Sequence, residues 1–140
     1  MPDELGLFRY ENEFDEVYDE DKIREILKIP RHRKACDGFG HHVSCKWIIQ
    51  ECKSRNIYEA LVQLEETLEK LLSANYRVDK AFIILDKISK NDKKRYKIDR
   101  RTRKLYPING RNPIVLRGGV EVFVLTKNEV REEVVRWFLA

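Results

Sequence analysis

The stretch that decides the fold reads Ile48-Ile49-Gln50-Glu51-Cys52-Lys53, and it follows the segment Lys34-Ala35-Cys36-Asp37-Gly38-Phe39. An Ile-rich apolar run of this length is typical of a buried strand. Because side chains alternate between the two faces of a strand, Glu51 and Lys53 share one face. Charges on a buried strand are costly unless they pair or coordinate an ion. Two carboxylates, with Asp37 from the preceding strand, and one ammonium group suit a divalent cation that binds phosphate.

The composition sets limits on the class of protein. A chain of 140 residues with 42% hydrophobic and 37% charged residues is expected to form one domain, over residues 1–140, with a charged surface. No apolar run approaches the ~18 residues that span a bilayer. The acidic N-terminus lacks the apolar stretch of a secretion signal, and three cysteines do not frame a secreted disulfide scaffold. We therefore expect a cytoplasmic protein without a membrane partner.

The net charge of +4 conceals a division between two parts of the chain. Residues 1–29 contain ten acids and four bases, a net charge of −6, and residues 1–21 are named here the acidic N-terminal segment. Residues 87–117 contain twelve bases and two acids, a net charge of +10. The basic arm is defined as residues 89–119, and its charge predicts either a solvated face or a surface that binds a polyanion.

Aromatic residues favour the second interpretation of the basic arm. Tyr96 and Tyr106 are interleaved with the bases, which is typical of nucleic-acid-binding segments. Each phosphate that a base neutralises releases counterions, so binding should weaken steeply with salt. The candidate phosphate ligands in the arm are Lys93, Lys94, Arg95, Lys97, Arg100, Arg101, Arg103 and Lys104.

The hydrophobic pattern predicts three elements before and across the charged stretch. A short amphipathic helix is expected over residues 21–29, since a proline follows it. A first strand is expected over 35–39 and a long second strand over 43–54. A hairpin turn is expected between them at Gly40-His41-His42.

A long helix and a further strand follow. Asn56 and Glu59 form the pattern of a capping box, and an apolar stripe at helical spacing continues to Ser73. Asn75 is suited to a left-handed residue after the helix. The apolar run 81–85 is typical of a central parallel strand.

The remainder of the chain predicts a β-rich arm and a final strand and helix. Short strands are expected at 96–98, 105–108 and 114–116, and a longer one at 120–125. Thr126 and Glu129 form a second capping box for a C-terminal helix. The residues expected to face the core from that helix are Val130, Val134, Trp137 and Phe138.

This order of elements and these residues resemble the PD-(D/E)XK nuclease superfamily. Cys36-Asp37 stands where the family usually has Pro-Asp, and thirteen residues separate Asp37 from Glu51, a spacing that fits a hairpin of adjacent strands. Glu51-Cys52-Lys53-Ser54-Arg55 is similar to the corresponding strand end of archaeal Holliday-junction resolvases. The resemblance covers about residues 20–90 and implies an α/β restriction-endonuclease-like core, a mixed central sheet flanked by helices.

The resemblance also implies roles for individual residues. Asp37 and Glu51 would ligate Mg²⁺ or Mn²⁺ together with the backbone carbonyl of Cys52. Lys53 would orient or activate the attacking water and offset charge on the phosphate. Gln63 corresponds to a glutamine that some relatives place near the active site, although Thr67 stands where they have tyrosine. Residues with less direct counterparts are Arg55, as a nucleic-acid ligand, and Glu20 or Glu25, as an acid from the first helix.

The implied function is an endonuclease that acts on DNA, with structured or branched DNA as the expected substrate and a homodimer as the expected assembly. An inactive nucleic-acid-binding module on the same scaffold and an RNA-directed nuclease are the alternatives. Two structural alternatives also stand: a simple ion pair between Glu51 and Lys53 on an edge strand, and a zinc site. The residues that could form the zinc site are Cys36, His41, His42 and Cys45.

Overall fold

The structure, a computed structural model, describes residues 6–31, 35–53 and 56–139. Six strands form one mixed sheet in the order β1-β2-β3-β4-β8-β7, and β5 and β6 form a separate hairpin. Pairs β1/β2, β2/β3 and β7/β8 are antiparallel, whereas β3/β4 and β4/β8 are parallel. The strands are β1 (Phe14–Asp19), β2 (Gly38–His42), β3 (Trp47–Lys53), β4 (Lys80–Leu85), β5 (Tyr96–Ile98), β6 (Leu105–Pro107), β7 (Val115–Leu116) and β8 (Val120–Thr126).

Helices cover both faces of the sheet, as the α/β prediction requires. The helices are α1 (Glu20–Leu27), α2 (Ile57–Ser73), α3 (Lys90–Arg95) and α4 (Glu132–Leu139). Alternating side chains of β3, β4 and β8 divide between two apolar clusters, so each face needs its own cover. One cluster packs Ile49 and Ile83 with the leucines of α2. The other packs Ile48 and Phe82 with α4 and with the N-terminal residues that precede β1. Among the described helices, none is both long and apolar enough to cross a membrane.

Local sequence signals placed the long helix and the central strand correctly. The Asn56 side chain accepts a hydrogen bond from the Glu59 N–H at 3.1 Å, so α2 begins where the predicted cap lies. Asn75 has φ +67°, the left-handed conformation predicted for it. The run 81–85 lies in β4, between two parallel neighbours, and is fully buried. These predictions are confirmed. Helix caps and continuous apolar runs depend on residues that are neighbours in sequence, so they can be recognised from the sequence itself.

The hairpin that carries Asp37 differs from its predicted limits. His41 and His42 belong to β2, which starts at Gly38, and the turn follows them. The prediction of a turn at 40–42 was wrong because both imidazoles have partners on distant residues. His42 Nε2 lies 3.0 Å from Glu13 Oε1, and His41 Nδ1 lies 2.6 Å from Asp15 Oδ1.

The arm and the C-terminal helix also required correction. The basic arm is not purely β, because the helix α3 precedes the β5–β6 hairpin. Thr126 and Glu129 do form a capping box, but it lies at the start of a short 3-10 helix, and α4 begins only at Glu132. Trp137 is 66% exposed rather than in the core, since the short α4 buries the face of Val135, Phe138 and Leu139 instead.

Candidate functional site

Asp37 lies immediately before β2, and its backbone and side chain both bind β3. Its N–H donates to the Gln50 carbonyl at 3.1 Å, and its Oδ2 accepts from the Cys52 N–H at 2.6 Å. The last paired residues of β2 and β3 are Gly38 and Gln50, so Cys52 lies beyond the ladder. The carboxylate of Asp37 therefore replaces the missing strand partner, which fixes it beside the site end of β3.

Glu51 is the most perturbed carboxyl group of the site. Its residue is 3% exposed, and one oxygen, Oε2, lies 3.3 Å from Lys53 Nζ. The other oxygen, Oε1, is buried and accepts no hydrogen bond from any residue that the structure describes. Burial first, and then the negative charge of Asp37, raise the pKa of Glu51 to about 8, although Lys53 opposes the rise.

Lys53 forms the outer boundary of the site. Its side chain is 21% exposed, so the ammonium group pairs with Glu51 and still reaches solvent. Its carbonyl accepts a hydrogen bond from the Asp86 N–H at 3.3 Å, which joins the carboxyl ends of the parallel strands β3 and β4. The prediction that Glu51 and Lys53 share a face of β3 is confirmed. Pairing on a solvated edge strand is excluded, because β3 lies inside the sheet.

Helix α2 supports the site through Thr67, the residue that stands where relatives in the resembled family have tyrosine. Thr67 is buried, and its Oγ1 accepts a hydrogen bond from the Cys36 N–H at 2.9 Å, one residue before Asp37. Gln63 lies one turn earlier on the same helix face and is 8% exposed, so it does not point into solvent. A catalytic role for Gln63 stays a prediction.

Of the two acids proposed from the first helix, Glu20 lies nearer the site. Its Oε2 accepts hydrogen bonds from Arg24 and, at 3.4 Å, from the Ala35 N–H. After burial and Asp37, the charge of Glu20 also contributes to the raised pKa of Glu51. Glu25 is exposed on α1.

Three of the four residues of the alternative zinc site have other side-chain partners. His41 and His42 pair with acids of the N-terminal region, and the Cys36 thiol is buried, contacts the Gly38 carbonyl at 3.4 Å and has a raised pKa because of burial. Cys45 is exposed. Within residues 6–31, 35–53 and 56–139 there is no cluster of three or more His, Cys, Asp or Glu side chains arranged around a metal. The Asp37–Glu51 pair would supply two carboxylates and depends on a backbone carbonyl for a third ligand.

The basic arm is held beside the site by Asp92, one of the two acids within residues 87–117. Asp92 is buried, and its carboxylate accepts hydrogen bonds from the N–H groups of Asn56 and Ile57 at 3.1 and 3.0 Å. Ser89 caps α3 by accepting from the Asp92 N–H at 3.1 Å. Asp92 therefore fastens α3 to the start of α2, the helix that follows β3. The available signal was Ser89-x-x-Asp92, a serine N-cap followed by an acid at the third helical position, inside a basic run.

The bases of the arm divide into exposed and paired groups. Arg103 donates to Glu129 at 2.6 Å and to the Val124 carbonyl, and Lys104 lies 2.6 Å from Glu121, which raises the pKa of Lys104. These two bases hold the arm to β8 and its following turn. Arg55 lies outside the described residues. The exposed candidates are Lys93, Lys94 and Arg95 of α3, Lys97 of β5, and Arg100 and Arg101 of the β5–β6 turn.

The turn between β5 and β6 is itself well ordered by hydrogen bonds. Asp99 Oδ1 accepts from the N–H groups of Thr102 and Arg101, both at 2.8 Å, and these bonds lower the pKa of Asp99. Arg103 adopts a left-handed conformation with φ +63° at the end of the turn. The exposed arginines of the turn are thus presented on a defined backbone.

Comparisons with protein-family models, with curated proteins and with solved structures found no match for this chain.

Proposed function

We propose that this protein is a metal-dependent nuclease that hydrolyses phosphodiester bonds in DNA, with Asp37 and Glu51 as ligands of Mg²⁺ or Mn²⁺. The observation that carries the proposal is the buried Oε1 of Glu51, which accepts no hydrogen bond from the described part of the chain. A buried anionic oxygen without a donor favours either a proton or a cation. The negative charge of Asp37, whose carboxylate binds the Cys52 N–H next in the chain, also raises the pKa of Glu51, so a divalent ion would interact favourably with both groups.

The donor set fits a hard cation. Carboxylate oxygens of Asp37 and Glu51 and the carbonyl of Cys52 are the ligand types that Mg²⁺ and Mn²⁺ prefer. When bound, the ion would supply a water of lowered pKa and polarise the phosphate. The mixed sheet with helices on both faces supports the further proposal that the core is restriction-endonuclease-like.

The residues around the ligands would position the nucleic acid. Lys53, at the exposed margin of the site, would offset negative charge on the reacting phosphate. The exposed bases of α3 would bind phosphates along the strand, because Asp92 holds that helix beside the end of β3. Structured or branched DNA, which offers two scissile strands, would favour a homodimer.

The test is cleavage of plasmid, single-stranded, flap and junction DNA with Mg²⁺ or Mn²⁺. We expect Asp37→Ala, Glu51→Gln and Lys53→Ala each to lower the rate by about a hundredfold or more, while DNA affinity at low salt changes little. Exposed Glu133 and Lys22 provide the matched controls Glu133→Gln and Lys22→Ala, which should cleave normally. Cleavage retained by Glu51→Gln would refute the proposal.

A non-cleaving DNA-binding module is the second candidate, and the exposed bases of the arm favour it. The same experiment separates the two functions. Salt-dependent DNA binding by a wild-type protein that cleaves none of the substrates with either metal would establish the module instead of the nuclease.

A further inference from the structure

An exposed pair of planar side chains lies at the start of α2, next to the strand that carries the candidate site. Tyr58 is 50% exposed, and Cζ of Arg95 lies 5.1 Å from the centroid of its ring. The same guanidinium lies 5.9 Å from the ring of Tyr96. Arg95 is also exposed, so the pair presents a flat, cationic surface to solvent.

The position of this pair is fixed by the packing of α3 on α2. Asp92 accepts from the N–H groups of Asn56 and Ile57, the two residues before Tyr58. Arg95 is the last residue of α3, less than one turn after Asp92. The two side chains are therefore brought together before any ligand binds, which lowers the entropic cost of binding.

A second pair with the same combination of charge and aromatic ring lies in the arm. Lys97 and Tyr106 are register partners in the β5–β6 hairpin, and Lys97 Nζ lies 5.7 Å from the Tyr106 ring. Exposed Lys93 and Lys94 belong to α3, the helix that directly precedes β5 in the chain. Aromatic rings interleaved with phosphate-binding bases form the usual surface for a single-stranded nucleic acid.

We propose that the Tyr58–Arg95 pair stacks on an unpaired base, so that the protein prefers DNA with a single-stranded segment over blunt duplex DNA. This inference rests on the proposed nuclease function for the choice of DNA as the ligand. A base inside a duplex has both faces covered by its neighbours, whereas an unpaired base exposes a face to an aromatic ring or a guanidinium. The distance along the chain from Lys53 to Tyr58 is five residues, so the stacked base would lie near the candidate site.

The test is the fluorescence anisotropy of a labelled single-stranded oligonucleotide and of the same sequence as blunt duplex, both in EDTA. We expect Tyr58→Ala to weaken single-strand binding by about five- to hundredfold and duplex binding by less than about twofold. Tyr58→Phe keeps the ring and should bind as the wild type does. The control is Trp137→Ala, which removes another exposed aromatic residue, from α4 on the opposite face of the sheet.

Three results would overturn the inference. The wild type could bind both DNAs equally, Tyr58→Ala could weaken both equally, or Trp137→Ala could match the effect of Tyr58→Ala. Because EDTA removes divalent ions, the measurement does not depend on cleavage. A protein that prefers single strands but cleaves nothing with Mg²⁺ or Mn²⁺ refutes only the nuclease. A protein that cleaves but shows no preference refutes only the stacking surface.

Discussion

Replacing Glu51 with glutamine is expected to stabilise the metal-free protein at high pH. The side chain is buried, and its pKa rises from an ordinary value of 4.5 to about 8. A carboxyl group with a raised folded pKa destabilises the folded state once the unfolded chain has ionised. The difference of about 3.5 pKa units corresponds to about 5 kcal/mol at ~1.4 kcal/mol per unit.

The sign and the pH range follow from the two pKa values. Below pH 4.5 the group is protonated in both states and contributes no pH dependence. Between pH 4.5 and about 8 the unfolded chain loses the proton while the folded protein keeps it, so the free energy of unfolding falls as the pH rises. Above about pH 8 the penalty is complete and constant. The amide of the Glu51→Gln variant would be neutral throughout and would avoid the penalty.

Urea unfolding in EDTA, followed by circular dichroism at about pH 5 and about pH 9, measures the effect. We expect Glu51→Gln to match the wild type at the lower pH and to exceed it by several kcal/mol at the higher pH. Glu133→Gln, at an exposed position, should follow the wild type at both. Millimolar Mg²⁺ should stabilise the wild type at the higher pH but not Glu51→Gln. A Glu51→Gln protein that is no more stable than the wild type at the higher pH would refute the argument.

Two further predictions concern the residues that support the site. Asp92→Ala should lower the free energy of unfolding by about 2–4 kcal/mol, because two N–H groups at the start of α2 lose a charged acceptor. It should also weaken DNA binding, because α3 and its exposed bases lose their attachment to α2. The control Asp21→Ala, at an exposed position of α1, should change neither the free energy of unfolding in urea nor the DNA affinity measured by anisotropy. Thr67→Val should cost about 1–3 kcal/mol, since the Cys36 N–H loses its acceptor in the core. Ser73→Ala, which removes an exposed hydroxyl from the same helix, is the control, and equal unfolding midpoints for the two variants would contradict the assigned role of Thr67.

The sequence predicted those features that depend on neighbours along the chain. The apolar run of β4, the Asn56 cap and the shared face of Glu51 and Lys53 all follow from local periodicity and side-chain chemistry. The convergence of Asp37 with Glu51 around one ion, expected from the hairpin and the family resemblance, stays a prediction; the structure places the Asp37 carboxylate on the Cys52 N–H, next to Glu51 in the chain.

The features that the sequence did not predict depend on contacts between distant residues. His42 lies in a buried strand because the carboxylate of Glu13, 29 positions away, is a hydrogen-bond partner of its Nε2. Asp92 is a structural anchor because the start of α2, 35 positions earlier, supplies the donor at Ile57. Trp137 is exposed because α4 is only eight residues long, and its core-facing stripe is occupied by other side chains. None of these partners can be identified from the residue itself.

Glu51 is an ionisable group buried in the core, which is unfavourable for folding, and this burial is the strongest argument for a bound ligand. In its ionised form, this buried carboxylate, with one oxygen paired and the other without a donor in the described part of the chain, is less favourable than an apolar side chain of similar volume. A second carboxylate, Asp37, increases the penalty and is fixed in place by the Cys52 N–H at the end of the same strand. Stability of the fold therefore does not explain this pair, whereas a bound divalent cation would offset both charges.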